Sequence, residues 1–405
     1  MPNIEFDTKS SNFTKIKVIG VGGGGNNAVN RMLTYGLQGA EFIVVNTDKQ
    51  ALFTSNAPQK LQIGEKLTKG LGSGGDPTVG KAAAEESHDD IERLLADAEL
   101  VFIAAGLGGG TGTGAAPIVA EIARKLGKLT VAVVTLPFSF EGRNKKAKEG
   151  LEELKDKVDS LIIIHNDKLI ELAGKNTPLS ESFMLADDAL RQGIQGITDI
   201  IAKPALINLD FADVRTVLLK KGLAHMGMGK GSGDNKLEDA VKQAISSPLL
   251  DTNIRGAKGA VVNVTVDGST GILEINDSFA MIRNLLDPEA DVFFGAAIDN
   301  NLKDECSVTI IATGFGEDQG AAAPKKQPTA PAENGPTIGP IDRSKRTIVE
   351  KIDRTAADSV TAATFRSPIV DGFDDDDDFD SEFSEPIFMQ RKPRRIHSPK
   401  KYGDD

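Results

Sequence analysis

Several things are scarce in this chain of 405 residues. There is one cysteine, Cys306, which excludes an internal disulfide and a multi-cysteine zinc site. The four histidines, His88, His165, His225 and His397, are too scattered to suggest a metal cluster. No apolar run approaches the ~18 residues of a membrane helix. Residues 1–13 are polar and hold no signal-peptide core, so a cytoplasmic location is expected. Positive charge is in deficit. Lys+Arg 47 against Asp+Glu 59 leaves a net charge of −12, the wrong sign for a general nucleic-acid coat.

Apolar runs at 16–20, 41–46, 100–105, 130–135 and 161–164 alternate with amphipathic stretches such as 82–96 and 117–126. Near-continuous apolar strands between helices predict a parallel sheet covered on both faces, a doubly wound α/β domain. Over 179–202, Phe183, Leu185, Leu190, Ile194, Ile197 and Ile201 recur near a 3.6-residue period, which predicts a long linking helix ended by Pro204. Helix-like 214–221 and 237–245, with strand-like 260–266, 292–298 and 307–312, predict a second, smaller α+β domain. Beyond Gly316 the composition turns to Ala, Pro, Lys and Gln, which cannot offset the entropy of ordering. The expected division is a flexible lead-in at 1–14, an α/β domain at 15–180, a linking helix at 181–205, an α+β domain at 206–316, a disordered linker at 317–382 and a C-terminal segment at 383–405. Such a linker has a reach of roughly 45 Å. The last segment carries an apolar island, Pro386-Ile387-Phe388-Met389, followed by basic residues including Arg391, Lys392, Arg394 and Arg395. An apolar island on a disordered tail is a candidate docking motif.

Glycine is in excess, at 42 residues, and two clusters hold the informative ones. Gly20-Val21-Gly22-Gly23-Gly24-Gly25-Asn26-Asn27 follows one apolar run and precedes a helical pattern at 28–33. Gly106-Leu107-Gly108-Gly109-Gly110-Thr111-Gly112-Thr113-Gly114 follows another, with its helix expected to open at 115–117 and Pro117 in the first turn. Glycine lets backbone approach a ligand without a Cβ clash, and a helix N-terminus offers free N–H groups to phosphate. Two such turns at strand ends of one sheet imply a crevice with two phosphate-binding walls, where Thr111 and Thr113 can donate hydroxyls.

Two rival motifs overlap this region. Gly20-x-Gly22-x-x-Gly25 with Asp48 after the next strand matches the dinucleotide fingerprint of an NAD(P)-dependent oxidoreductase, but leaves the second glycine cluster without a role. The segment from Gly75 to Ala82 resembles a P-loop, yet Ala82 stands where Ser or Thr must ligate magnesium, and no strand precedes it. A third feature, Asn208-Leu209-Asp210-Phe211-Ala212-Asp213-Val214, has two readings. Spacing alone favours a helix cap formed by Asp210 and Asp213; the other reading is a pair of carboxylates that polarise water or hold a cation-bound phosphate. His165, Cys306, Met226 and Met228 read as loop bonding and packing residues.

The two glycine clusters and the Asn208–Asp213 segment, in that order over residues 15–315, resemble the FtsZ family of bacterial cell-division GTPases in the tubulin superfamily. The resemblance implies a self-assembling GTPase. Gly22, Gly23, Gly24, Gly25 and Asn26, with Gly108, Gly109, Gly110, Thr111, Gly112, Thr113 and Gly114, would hold the GTP phosphates. Thr135 and Glu141 would contact the sugar, and Asn27, Phe183 and Asp187 would read guanine. Lys145 stands at the family's usual arginine, with Arg143 two residues earlier. Leu136 replaces a usual basic residue. Asn208, Asp210 and Asp213 would enter the next subunit's site and activate the attacking water. Mg²⁺ would accompany GTP, with no protein side chain assigned to it. The implied partners are further copies stacked head to tail, membrane-tethering division adaptors at Pro386, Phe388 and Met389, and assembly regulators. Neither nucleic acid nor a membrane span is implied. The implied setting is the cytokinetic ring at mid-cell.

Overall fold

The computed structural model describes residues 14–172, 177–202, 205–246, 254–299 and 302–315. All of them belong to the first of its two compact units, Met1–Thr329. The expected linker and docking peptide, and residues 1–13 of the lead-in, lie outside the described residues.

Apolar side chains on both faces mark the central strands at Ile16–Val21, Leu100–Gly106 and Leu129–Leu136, which are buried almost throughout. In chain order the first half comprises β1 (Ile16–Val21), α1 (Gly22–Thr34), β2 (Glu41–Asn46), α2 (Lys49–Thr54), β3 (Gln59–Gln62), α3 (Glu65–Thr68), α4 (Pro77–Glu86), α5 (His88–Leu95), β4 (Leu100–Gly106), α6 (Thr111–Lys125), β5 (Leu129–Leu136), α7 (Asn144–Lys155) and β6 (Ser160–His165). Then come α8 (Asn166–Leu172), α9 (Leu179–Ala202), α10 (Phe211–Leu218), β7 (Gly222–Ser232), α11 (Lys236–Ile245), β8 (Gly259–Val266), α12 (Ile272–Arg283), β9 (Asp291–Ile298) and β10 (Glu305–Thr313). One sheet runs through all ten strands in the order β3-β2-β1-β4-β5-β6-β7-β10-β8-β9. From β3 to β7 every pairing is parallel, and the pairings of β10 with β7 and β8 are antiparallel. The seam between β6 and β7 is short: Ser160 pairs with Gly222 and Leu161 with Leu223.

The parallel part is doubly wound. Val18, Phe102 and Val131 pack on one face with Val29 and Met32 of α1 and with Leu190, Ile194 and Ile197 of α9. Ile19, Ile103 and Val134 pack on the other with Ala83 of α4, Val119 of α6 and Leu154 of α7. A third cluster joins Leu237 and Val241 of α11 to Val262, Val308 and Ile310.

Helix α9 covers the interval its 3.6-residue spacing predicts. Four other elements depart from expectation. Helix α1 opens at Gly22, not at 28, so most of the first glycine cluster lies in its opening turns. Helix α6 opens at Thr111, not at 115–117, so Pro117 sits inside it rather than in its first turn. The glycines are helical there because α4 packs so closely that a Cβ on Gly114 would strike the Pro77 carbonyl oxygen. The single amphipathic stretch at 82–96 is two helices, α4 and α5, divided at Ser87, whose hydroxyl accepts the Gly64 N–H at 3.1 Å. The Gly-rich run around Met226 and Met228 is the eleven-residue strand β7. Gly227, Gly229 and Gly231 alternate along it, and a Cβ on any of them would collide with a carbonyl oxygen of α11 (Ala244, Ala240 and Lys236 in turn). Glycine at every second residue leaves one strand face bare, and α11 lies directly on it.

Candidate functional site

In the order β3-β2-β1-β4-β5-β6 the chain winds outward in both directions from the β1–β4 pair. At such a switch point, crossover helices leave to opposite faces and open a crevice at the carboxyl ends of the strands. Both glycine clusters sit there, one after β1 and one after β4. Gly22 has φ +72°, and a Cβ on it would lie 2.7 Å from the Gly112 nitrogen, so the two turns meet backbone to backbone. Around Gly23 and Gly109 the corresponding space is open. The helices that follow, α1 and α6, both start without a side-chain cap. Their first N–H groups and dipole ends converge on one place, which suits an anion.

A cavity of about 430 Å³ occupies this crevice, a size suited to a small molecule. Of the expected residues, Gly23, Gly24, Asn27, Gly109, Gly110, Thr111, Gly112, Thr135, Glu141, Arg143, Phe183 and Asp187 line it. Gly22, Gly25, Asn26, Gly108, Thr113, Gly114 and Lys145 do not. Several of these brace the turns instead. The buried amide of Asn26, oriented to satisfy both ends, donates to the Gly20 and Gly22 carbonyls at 2.9 Å each and accepts from Asn46 at 3.1 Å. Thr113 Oγ1 accepts the Gly108 N–H at 2.8 Å. Thr111 Oγ1 meets the Thr47 hydroxyl at 2.7 Å and the Ser73 hydroxyl at 3.1 Å. Lys145 is exposed on α7.

At one end of the cavity α9 presents Phe183 and Asp187. Phe183 rests edge-on against buried Phe138, with ring centroids 5.3 Å apart, and Phe138 stacks on Phe140 at 5.2 Å. Burial pushes the Asp187 carboxyl up to about 6, against a weaker pull downward from Arg31. Glu141 accepts the Phe138 N–H at 2.9 Å and lies 3.7 Å from the Arg143 guanidinium.

Sequence reasoning missed Ser73, Leu107, Pro137, Ala186 and, above all, Asn166 as lining residues. Asn166 opens α8 at the carboxyl end of β6. It is 5% exposed, and its Oδ1 has no hydrogen-bond partner. A buried carbonyl left unpaired is costly, and a ligand donor in the cavity relieves that cost. The available signal was position alone: a polar residue at a strand's carboxyl end in a doubly wound sheet.

Asn208, Asp210 and Asp213 are not at the cavity. The cap geometry forms: Asp210 Oδ1 accepts the Asp213 N–H at 2.9 Å, and Asp213 Oδ2 accepts the Asp210 N–H at 3.3 Å. Asn208 Oδ1 accepts the Ala205 N–H at 2.6 Å. The side chains of Asn208 and Asp210 are exposed. Between Asp187 and this segment runs the remainder of α9, fifteen residues to Ala202 and hence about 22 Å of helix.

Two family models match the chain. The Tubulin/FtsZ family GTPase domain covers residues 15–174, and the FtsZ family C-terminal domain covers 222–316. A solved structure described as an empty FtsZ dimer from M. jannaschii is 46% identical, with a TM-score of 0.71, across 74% of this chain and 88% of that one. The chain belongs to the tubulin/FtsZ family. A tryptophan-to-tyrosine mutant of M. jannaschii FtsZ is 45% identical over 75% of this chain and 92% of its own, with a TM-score of 0.71. CetZ2 from Haloferax volcanii, described as a GTPγS-bound protofilament, is 21% identical over 75% and 94%, with a TM-score of 0.65, and shares the fold.

Membership in this GTPase family leaves little room for the two rival motifs. Asp48, which a dinucleotide site needs at the ribose, caps α2 by accepting the N–H groups of Gln50 and Ala51 at 2.8 and 3.3 Å, and it does not line the cavity. In the P-loop-like segment, Asp76 caps α4 and Gly80 packs within that helix against the Gly110 backbone. Among the described residues no helix is long and apolar enough to cross a membrane.

Proposed function

We propose that the protein hydrolyses GTP as a subunit of a head-to-tail filament, each cavity being completed by Asn208, Asp210 and Asp213 of the adjacent copy. The observation that carries this reading is the separation within one copy. Helix α9 bears Asp187 in its first half and leads to the acids beyond its far end. A helix cannot bring its own ends together, whereas a second copy stacked on the cavity mouth can supply the acids. Such a contact is heterologous, so it propagates as a filament instead of closing. The GTPase-domain match and the dimeric M. jannaschii FtsZ structure support the reading.

In this reading guanine lies against Phe183, with its N1–H and amino group on the Asp187 carboxylate and Asn27 and Asn166 beside it. Thr135 and Glu141 face the sugar, and the glycine turns surround the phosphates, with Arg143 at the mouth. The incoming carboxylates orient a water and accept its proton as it attacks the terminal phosphorus. Among the described residues, the one cluster of three ligating side chains, His88, Asp89 and Glu92, is not at the cavity. Around the proposed phosphate position the lining is backbone and hydroxyl, from Gly23, Gly24, Gly109, Gly110, Thr111 and Gly112, a set in which Mg²⁺ would arrive with the triphosphate and would not need a protein carboxylate. When bound, Mg²⁺ neutralises charge on those oxygens. Because a lone subunit lacks its acids, turnover is gated by assembly, and loss of the terminal phosphate removes contacts at the interface. In the cell this activity would drive a cytokinetic ring at mid-cell. The segment around Pro386, Phe388 and Met389 would dock membrane-tethering adaptors, and assembly regulators would act on the filament.

Mixing Asp187→Ala with Asp210→Asn tests the shared site. Each variant alone should turn over poorly, and the mixture should recover turnover wherever an intact cavity meets intact acids. No recovery, although both variants co-sediment, overturns the reading.

A further inference from the structure

Helix α10 carries Asp210 at its N-cap and lies in the stretch between the two matched regions, 15–174 and 222–316. It is eight residues long, about 12 Å of helix. Val214, Val217 and Leu218 on its inner side are buried in one cluster with Val131 and Val133 of β5, Val261 of β8 and Ile311 of β10. The helix therefore rests on both halves of the sheet. Apolar contact is non-directional, so the ends of the helix decide where it sits along its own axis. Its Asp210 end is exposed, and its other end is buried.

The last carbonyls of a helix have no partner inside it, and a buried one needs a partner from elsewhere. Here two hydroxyls supply it from opposite sides. Ser160, at the start of β6, donates to the Leu218 carbonyl at 2.6 Å, and Thr313, at the end of β10, donates to the Val217 carbonyl at 2.7 Å. Both side chains are fully buried. A carbonyl can only accept, so both protons are committed. Ser160 belongs to the matched GTPase domain and Thr313 to the matched C-terminal domain. The chain just beyond the helix is held as well: the Asp159 carbonyl accepts the N–H groups of Lys221 and Gly222 at 2.9 Å each. Between them and the helix, Lys220 has φ +54°, a conformation that a residue with a side chain keeps only where its surroundings fix it.

We propose that Ser160 and Thr313 are positioning residues for the acids: as a clamp of two hydroxyls, one from each domain, they fix α10 along its axis and so set how far Asp210 reaches toward the cavity of the adjacent copy. The proposal rests on the shared-site reading. A reacting group misplaced by about 1 Å loses much of its effect on rate, and a short helix passes any shift of its buried end to the residue at its exposed one.

The test is GTP turnover by full-length variants, alone and in mixtures that co-sediment. Thr313→Val and Ser160→Ala each remove one hydroxyl, and Thr313→Ser keeps it. Per subunit in sedimented polymer at saturating GTP, the first two should turn over roughly tenfold more slowly than wild type and Thr313→Ser should keep most of the rate, while GTP binding by dilute subunits stays within about twofold in all three. Mixing then locates the defect. Asp187→Ala offers intact acids and no working cavity, and Asp210→Asn offers an intact cavity and no acids. Thr313→Val should recover turnover with Asp187→Ala, whose well-placed acids reach its cavity. It should not recover with Asp210→Asn, whose cavity receives only acids on a slack helix. A defect in the cavity itself would recover with Asp210→Asn, and a general loss of packing with neither. Ser160→Ala carries the same comparison if Thr313→Val fails to fold. Wild-type turnover in both clamp variants, loss in Thr313→Ser equal to that in Thr313→Val, recovery with Asp210→Asn or with neither partner, or failure of both clamp variants to fold overturns the proposal while the shared-site reading stands. If Asp187→Ala and Asp210→Asn do not recover with each other, the shared-site reading fails and this proposal falls with it.

Discussion

Gly22 and Gly112 touch backbone to backbone across the mouths of two strands, with room for no atom between them: a methyl on Gly22 would stand 2.7 Å from the Gly112 nitrogen. Gly23, the next residue, faces open space. Gly22→Ala carries both a strained positive φ and a clash. It is expected to cost about 2 kcal/mol or more and to weaken GTP binding by splaying the turns. Gly23→Ala should fold with an unchanged melting temperature and lose binding only by crowding the cavity. Thermal unfolding and GTP titration of the pair separate the two roles.

Asp187 yields a pH prediction with a definite sign. Its folded pKa, about 6, lies above the ordinary carboxyl value of 3.8. Between these values the folded chain holds a proton that the unfolded chain has released. The contribution of Asp187 to stability is therefore greatest below about pH 4, falls as pH rises through about 6, and is level above that. Asp187→Asn should raise the melting temperature at pH 7 and remove this part of the pH dependence. In the proposed guanine pose binding has the opposite slope, because the donors of the base would need the carboxylate. Guanosine, with no phosphate to titrate, should bind wild type more weakly as pH falls below about 6. Affinity independent of pH from 5 to about 7 would contradict this.

At Asp210 the cap and the acid can be dissociated. Asp210→Ala removes the acceptor for the Asp213 N–H and should cost about 1 kcal/mol of stability. Asp210→Asn keeps a good cap and removes the charge. It should melt like wild type, bind GTP normally and turn over at least about tenfold more slowly. Normal turnover per folded subunit in both variants would leave Asp210 as a cap only.

Gly229 tests the bare strand face. A methyl there meets the Ala240 carbonyl oxygen at a distance no relaxation of a flexible side chain can relieve. Gly229→Ala should destabilise by about 3 kcal/mol or more, with α11 losing its seat on β7. Hydrogen exchange over Lys236–Ile245 should rise before exchange in β1 or β4 does.

The parts of this fold legible in the sequence are those where one side chain type answers one environment. Leu100 to Ala105 is apolar throughout because helices cover both faces of β4, and α9 announces itself because only one stripe of it meets the sheet. Strand β7 is illegible by the same logic. Its alternate glycines answer a helix backbone from a separate element, and glycine runs otherwise mark loops. The start of α6 is hard to place for a related reason: Gly112 and Gly114 are helical despite poor propensity, because close packing rewards the missing side chains. In the site, both glycine turns stand out from the sequence. Asn166 and Ser73 do not, since a single polar residue gains meaning only when burial and topology place it against a cavity.

The stretch of α9 beyond Asp187 also sets an angular phase. Each residue of an α-helix turns the chain by about 100°. Adding or removing one residue between Asp187 and Ala202 would swing everything after it to another side, and even a change of a whole turn would shift it by about 5 Å. Substitutions on the outer surface of this helix leave both quantities alone. Its length is thus a stricter inheritance than its composition, and a one-residue insertion there should be more damaging than many replacements made together.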